Sequence, residues 1–205
     1  MTTKKKTTKK TKAQLAKLEA ARVKRANAAF AKMTPAQKRV QIAKDVIAQL
    51  DAKKIVAEYG SWLSPDGQQW FRAEADQQVR DFIGSTTSCE ACALGSIFMC
   101  AVTRADELKV ADLAETGDPD NSGKTGVSEE DVFGYLERFF DHDRLQEIET
   151  AFEGGRGVTM HSKAARDWRL TLGDIPEPAT VMRAIMANII KHRGQFNVNA
   201  KPVLG

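Results

Sequence analysis

The sequence predicts a mainly α-helical, compact domain built round one buried helix, and three observations carry that expectation. The stretch Thr87 to Arg104 is almost wholly apolar, with only Glu90 and Ser96 polar between Cys89 and Val102. Several other segments repeat apolar residues at spacings of three and four behind recognisable helix caps. By contrast, only the segment near 55–64 gathers β-branched and aromatic residues round a glycine. Thr87 followed by Glu90 has the spacing of a capping box, so the central helix is expected over about 88–104. A helix apolar on all sides is buried, and this one is too short for a bilayer, which needs about 20 apolar residues. Ala91, Ala93, Gly95, Ser96 and Ala101 are small, so neighbours can approach it closely.

Taken in order, residues 2–12 are only Thr and Lys, a composition that predicts disorder. From Ala13 to Met33 the residues are good helix formers with a weak stripe of Leu15, Leu18, Val23, Ala26, Phe30 and Met33. Thr34-Pro35-Ala36-Gln37 starts a helix in which Val40, Ala43, Ile47 and Leu50 share a face. A short β-hairpin is expected near 55–64, before the turn Ser64-Pro-Asp-Gly. Residues 68–83 read as a helix through Trp70, Phe71, Ala75, Val79, Phe82 and Ile83. A short helix follows over Asp106–Glu115. Ser128 with Asp131 caps the next, which carries Val132, Phe133, Leu136 and Phe139. Another begins at Asp141 or Asp143 and stops at Gly154-Gly155. Residues 156–177 read as irregular. The last helix, about Pro178 to Arg193, turns Met182, Ile185, Met186 and Ile189 inward, and Gly194 ends it.

Charge divides the chain in two. Residues 1–33 hold 11 Lys or Arg against Glu19 alone, while the remainder holds 20 basic and 26 acidic residues. The chain of 205 residues is therefore an arm over 1–33 with net charge +10 and a globular domain over 34–205 with net charge −6. Lys4, Lys5, Lys6, Lys9, Lys10, Lys12, Lys17, Arg22, Lys24 and Arg25 are the residues with which the arm would meet nucleic acid or another anionic partner. A solvated arm is the plainer alternative. Phe30 is its one aromatic, too little for stacking on single strands. Three cysteines, an odd number, speak for a reducing compartment, here the cytoplasm, and no segment is long enough to span a membrane.

Three motifs invite chemistry. Cys89-Glu-Ala-Cys92 has redox spacing at a helix start, where thiol pKa falls. A redox motif of this kind follows a buried strand, and none is expected there, so packing thiols are expected instead. For zinc, Cys100 lies eight residues past Cys92, about 12 Å along a continuous helix, too far for one ion. The loop from Asp118 to Glu129 resembles a twelve-residue EF-hand calcium loop. Asp118, Asp120 and Ser122 fall at positions one, three and five, Gly123 at six, Lys124 at seven through its carbonyl, and Glu129 at twelve. Thr125 and Glu130 depart from that pattern, and no second hand is present. An ordinary acidic turn is the alternative. Gly154-Gly-Arg-Gly157 lacks phosphate-loop context. Glu147, Glu149 and Glu153 are expected on a solvated helix face. No catalytic constellation emerges.

Several pieces carry a family resemblance: the run from Met33 through Thr-Pro-Ala-Gln-Lys-Arg-Val to Val46, Lys54-Ile-Val-Ala, Cys92-Ala-Leu-Gly-Ser-Ile-Phe, Leu145-Gln-Glu-Ile-Glu-Thr-Ala-Phe-Glu, and Met182 to Phe196. Over residues 33–196 the chain resembles an uncharacterised family of small phage and prophage proteins. No activity and no site residues come with the resemblance. It implies an accessory phage protein in the cytoplasm of a bacterial host, a non-enzymatic binder or inhibitor of a host or defence protein or nucleoprotein. A calcium-binding module and a nucleic-acid-binding or virion structural protein are the alternatives.

Overall fold

Helix caps written into the sequence set the frame of the computed structural model, which describes residues 11–66, 72–74, 77–104, 108–113, 124–154, 162–173 and 176–203. Thr11 and Gln14 form a capping box that opens α1, Lys12–Ala31. Thr34 and Gln37 form another, with Pro35 in the first turn, opening α2, Pro35–Asp51. Each box satisfies backbone N–H groups that no helical carbonyl can reach.

The expected central helix is present, but it starts later. Residues Cys89–Ala91 form a strand, β4, and the helix α4 runs Ala93–Val102. The Thr87–Glu90 capping box does not form, because Cys89 and Ala91 turn inward while Glu90 points to solvent. The helix is instead capped by Cys92, whose Sγ accepts the Gly95 N–H at 3.5 Å. Every residue of α4 is buried. It packs against α2, the later helices and the strands, so it is central in the sense its apolarity implied.

The hairpin expected near 55–64 is also redrawn. Strands β1, Ile55–Ala57, and β2, Ser64–Pro65, do not pair with each other. β4 lies between them, parallel to β1 and antiparallel to β2. A second small sheet joins β3, Arg72–Glu74, to β5, Lys124–Gly126, in antiparallel register. Where a helix was expected over 68–83, the described residues hold the strand β3 and the helix α3, Val79–Ser85. The helix expected over 106–115 is a single 3-10 turn, Val110–Asp112, among the described residues.

The C-terminal half follows the caps closely. Ser128 and Asp131 box the start of α5, Glu129–Leu136. α6, His142–Glu153, ends at Gly154 in a left-handed conformation. α7, Lys163–Leu170, lies where an irregular segment was expected, and Ser162 caps it by accepting from Ala165 N–H. α8, Pro178–Lys191, buries Met182, Ile185, Met186 and Ile189 completely, as its stripe requires. It packs along α2. Arg39 fastens the two, with Nε donating to the Gly194 carbonyl at 2.6 Å and Nη1 to the Phe139 carbonyl at 2.7 Å. Buried Asn188 holds the tail by exchanging two hydrogen bonds with the backbone of Asn197. No described helix is long and apolar enough to cross a membrane.

Candidate functional site

Among the described residues, the basic arm meets the body near the end of α1. In α1, Asn27 and Phe30 are buried, with Phe30 against the Phe139 ring at 6.3 Å and Lys38 Nζ 5.7 Å from its centre. The Asn27 side-chain amide donates to the Thr103 carbonyl at 3.4 Å. Toward the N-terminus the same apolar face leaves the body behind: Leu15, Leu18 and Val23 are 54%, 46% and 42% exposed. At about 100° per residue, Lys17 and Lys24, seven apart, fall on the opposite face, with Arg25 beside them. The helix is thus a rod about 30 Å long, and its apolar stripe is weak, because Glu19 and Arg22 fall among Leu15, Leu18 and Val23. Of the ten arm residues expected to meet an anionic partner, Lys12, Lys17, Arg22, Lys24 and Arg25 lie on α1. Lys4, Lys5, Lys6, Lys9 and Lys10 lie outside the described residues.

The calcium loop is only partly in view. Asp118, Asp120 and Ser122 lie outside the described residues. Lys124 opens β5 opposite Glu74, and Glu129 is the first residue of α5. Among the described residues, no three His, Cys, Asp or Glu side chains stand close enough to hold a metal ion.

The thiols are free and buried. A strand does precede Cys92, contrary to expectation, yet it contains Cys89 itself and points that thiol into the core. Burial pushes the Cys89 thiol up to about 12, with Asp66 and Glu90 adding to the rise against a hydrogen bond from Ser64. Burial also pushes Cys100 upward, helped by Asp45. Both remain protonated at neutral pH, when a thiolate is needed for exchange or metal binding. Asp45 itself is held by Arg104 in a two-pronged ion pair at 2.8 Å, which raises the Arg104 pKa further.

One polar cluster was missed in the sequence. Glu153, expected on a solvated face, is buried, and its Oε2 accepts the Gly60 N–H at 3.0 Å. The last turn of α6 is buried on consecutive residues from Thr150 to Glu153, because other elements close over it from several sides. Beside it, the Tyr59 ring lies 5.0 Å from Phe152 and 4.7 Å from the Arg169 guanidinium, and its hydroxyl donates to the Pro176 carbonyl. Arg169 is 5% exposed, and its Nη1 has no hydrogen-bond partner among the described residues. Its stem fills the space a Cβ on Gly154 would occupy. The cluster ties β1's exit to α6 and α7. It has no nucleophile and no cleft that brings a substrate to it among the described residues.

Among the described residues several concave regions are larger than packing defects, one of about 320 Å³ between Trp168, Thr171 and the tail at Asn199 and Lys201. A cleft of about 140 Å³ is lined by Lys54, Thr86, Cys100 and Thr103. A longer groove of about 620 Å³ follows the outer face of α2 to the end of α8. Sequence reasoning overlooked the groove because Val40 was assigned to the core stripe of α2. The helix is rotated from that reading: Ile42, Ala43, Val46 and Leu50 are buried, and Val40 is only half-buried. No family model, no curated protein and no solved structure matches this chain.

Proposed function

We propose that the protein is a non-enzymatic binding protein, acting in the cytoplasm of a bacterial host, that attaches to a host or defence protein or nucleoprotein and inhibits it. The observation that supports the reading most is α1, a basic helix held by the body through Asn27 and Phe30 and otherwise exposed, with Leu15, Leu18 and Val23 uncovered. An isolated helix is marginal in water and gains most of its stability from packing. A partner laid along α1 supplies that packing. The net positive charge of the arm steers it toward anionic targets, and the net negative body resists non-specific adhesion to the same targets. The resemblance to phage accessory proteins agrees with this role.

Tagged full-length protein and protein lacking residues 2–25 are passed through host lysate at low and moderate salt. A stoichiometric host protein or nucleoprotein retained by the full chain and lost with the arm supports the reading. Capture of DNA or RNA without sequence preference, falling steeply with salt, makes the arm a nucleic-acid binder instead. Co-purification with virions only makes it structural, and turnover of a small molecule by a partner-free sample overturns the reading.

A second reading, a calcium module, has one observation in its favour: β5 runs into α5 at Glu129, the order in which a calcium loop meets its exit helix. With three carboxylates and no paired hand, affinity belongs in the weak range, about 10⁻⁴–10⁻³ M. Calorimetry with millimolar calcium, on wild type and Glu129→Gln, tests it. Heat that is absent, or unchanged by the substitution, removes it.

A further inference from the structure

The groove along α2 has a defined chemistry. Its floor is apolar, made by Met33, Ala36, Val40 and Ile190, all partly exposed. Gln37 and Gln41 lie along it, and Gln41 is fixed by donating to Asp45 at 2.9 Å. Lys44 and Arg193 are its charged residues; both are exposed, and neither has an ion-pair partner among the described residues. Among the described residues no acid lines it, and Asp45, next to Lys44, is already paired with Arg104. From Met33 to Lys44 the floor runs about 16 Å, some three helical turns.

Both walls are rigid. Gly194 sits so close to α2 that a Cβ would meet the Ala36 carbonyl oxygen at 2.5 Å, and Arg39 bonds the Gly194 carbonyl from the other helix. Arg193, at φ 55, stands in the left-handed position where glycine is favoured after a helix. Lys53 ends α2 the same way, and a cation there also complements the helix dipole. The conformation therefore does not by itself mark a site. What it does is set the guanidinium at one end of an apolar trough whose other end carries Lys44.

We propose that this groove docks an acidic amphipathic helix of a partner protein, about three turns long, with apolar side chains on the Val40–Ile190 floor and carboxylates at Lys44 and Arg193. An apolar strip flanked by cations is the complement of an apolar stripe flanked by acids. The same charges argue against the chain's own basic segments. The N-terminal Lys/Thr run and the α1 helix of a second copy, with Lys17, Arg22, Lys24 and Arg25, would bring like charge to Lys44 and Arg193. The inference rests on the binding reading above in taking the partner to be a protein, but it concerns a surface separate from the exposed part of α1.

The test uses the full chain and a fluorescein-labelled helical peptide of about four turns, with a leucine stripe and glutamates on its other faces. The comparison probes are the same peptide with lysines for glutamates, and a DNA duplex. The glutamate peptide binds saturably by fluorescence anisotropy. Val40→Glu weakens it by tenfold or more, roughly the effect of losing a central contact. The double variant Lys44→Glu, Arg193→Glu reverses the preference toward the lysine peptide. Arg193→Gly, which the backbone accepts, keeps the fold by circular dichroism and weakens the glutamate peptide. Protein lacking residues 2–25 binds that peptide as the full chain does.

No saturation, or affinity indifferent to Val40→Glu and to charge reversal, overturns the proposal. So does a duplex that binds in the groove better than either peptide, or a dimer in sedimentation that Val40→Glu dissolves. Peptide binding lost with the arm but not with Val40→Glu places the peptide on α1 and overturns it also. Arm-dependent host capture that survives every groove variant, with no peptide binding, removes this proposal alone. Peptide binding without any host capture removes the broader reading instead.

Discussion

Gly95 is the position at which a single atom decides most. A Cβ there would lie 1.6 Å from the Trp62 carbonyl oxygen and 2.8 Å from its carbon, both backbone atoms that cannot rotate away. Gly95→Ala therefore forces α4 from the 62–65 segment. The expected loss is about 1–3 kcal/mol or more, read as a lower urea midpoint; an unchanged midpoint would show that α4 is free to shift. The small-residue content of the central stretch announced such a contact, but not which backbone makes it, because Trp62 is brought there by a loop. The thiols lead to a pH prediction. Cys89 is raised from 9.0 to about 12, and burial raises Tyr135 from 10.0 to about 12. In the unfolded chain these groups ionise first, so their contribution is fully present below about pH 9 and is lost as pH climbs toward 12. Urea unfolding at pH 8, 9, 10 and 11 should show falling stability, and Cys89→Ala should make the fall shallower. A thiol reagent at pH 8 should label Cys89 and Cys100 only after denaturant is added. Rapid labelling of the native protein would show that the burial is not maintained in solution.

At the scale of elements, what the sequence made legible was capping. Thr34, Ser128 and Gly154 mark helix ends by local hydrogen bonds and local φ, and those ends are where they were expected. Thr34→Ala removes the acceptor for the Gln37 N–H and should cost about 1 kcal/mol. In a chain this size that is a fall of some 2–4 °C in melting midpoint, and no change would mean that Pro35 alone sets the start. Elements defined by distant partners were not legible. Cys89–Ala91 is a strand because β1 and β2 flank it, and its three residues carry no pattern that distinguishes strand from helix. Arg72–Glu74 becomes strand for the same reason, through β5. α7 was missed for a different cause. Trp168, Leu170 and Leu172 alternate, yet Leu170 is 52% exposed, so the alternation is not a buried face. The helix rests instead on Ala165 and Trp168, whose indole N–H donates to the Ala200 carbonyl at 2.8 Å.

For the whole molecule, composition placed the boundary between arm and body at residue 33, because basic residues are frequent up to that point. Packing draws the line earlier within the same helix: Asn27 and Phe30 belong to the body's surface layer. Deleting residues 2–25 should leave the melting midpoint unchanged, whereas deleting 2–32 should lower it by about 5–10 °C, the scale of losing one buried aromatic and a hydrogen bond. Equal midpoints for the two deletions would show that the arm's end contributes nothing. Limited trypsin digestion should cut the exposed half of α1, at Lys17 to Arg25, before any site in the body. Charge was the most legible property at this scale and packing the least, since the groove depends on how far α2 is rotated from its sequence stripe, burying Ile42 and Val46 in place of Val40 and Ile47.

The junction of α2 with the end of α8 also bears on how the molecule is made. Arg39 bonds the backbone of Gly194 across most of the chain, and α8 forms one wall of the groove that α2 begins. During synthesis α2 emerges well before its partner helix. Until then Met182, Ile185, Met186 and Ile189 are not there to cover it, and Val40 lies on a helix without a trough. Only a chain that includes α8 can display the groove, so a fragment truncated before Pro178 should be readily degraded by protease and silent toward any ligand that reads that surface.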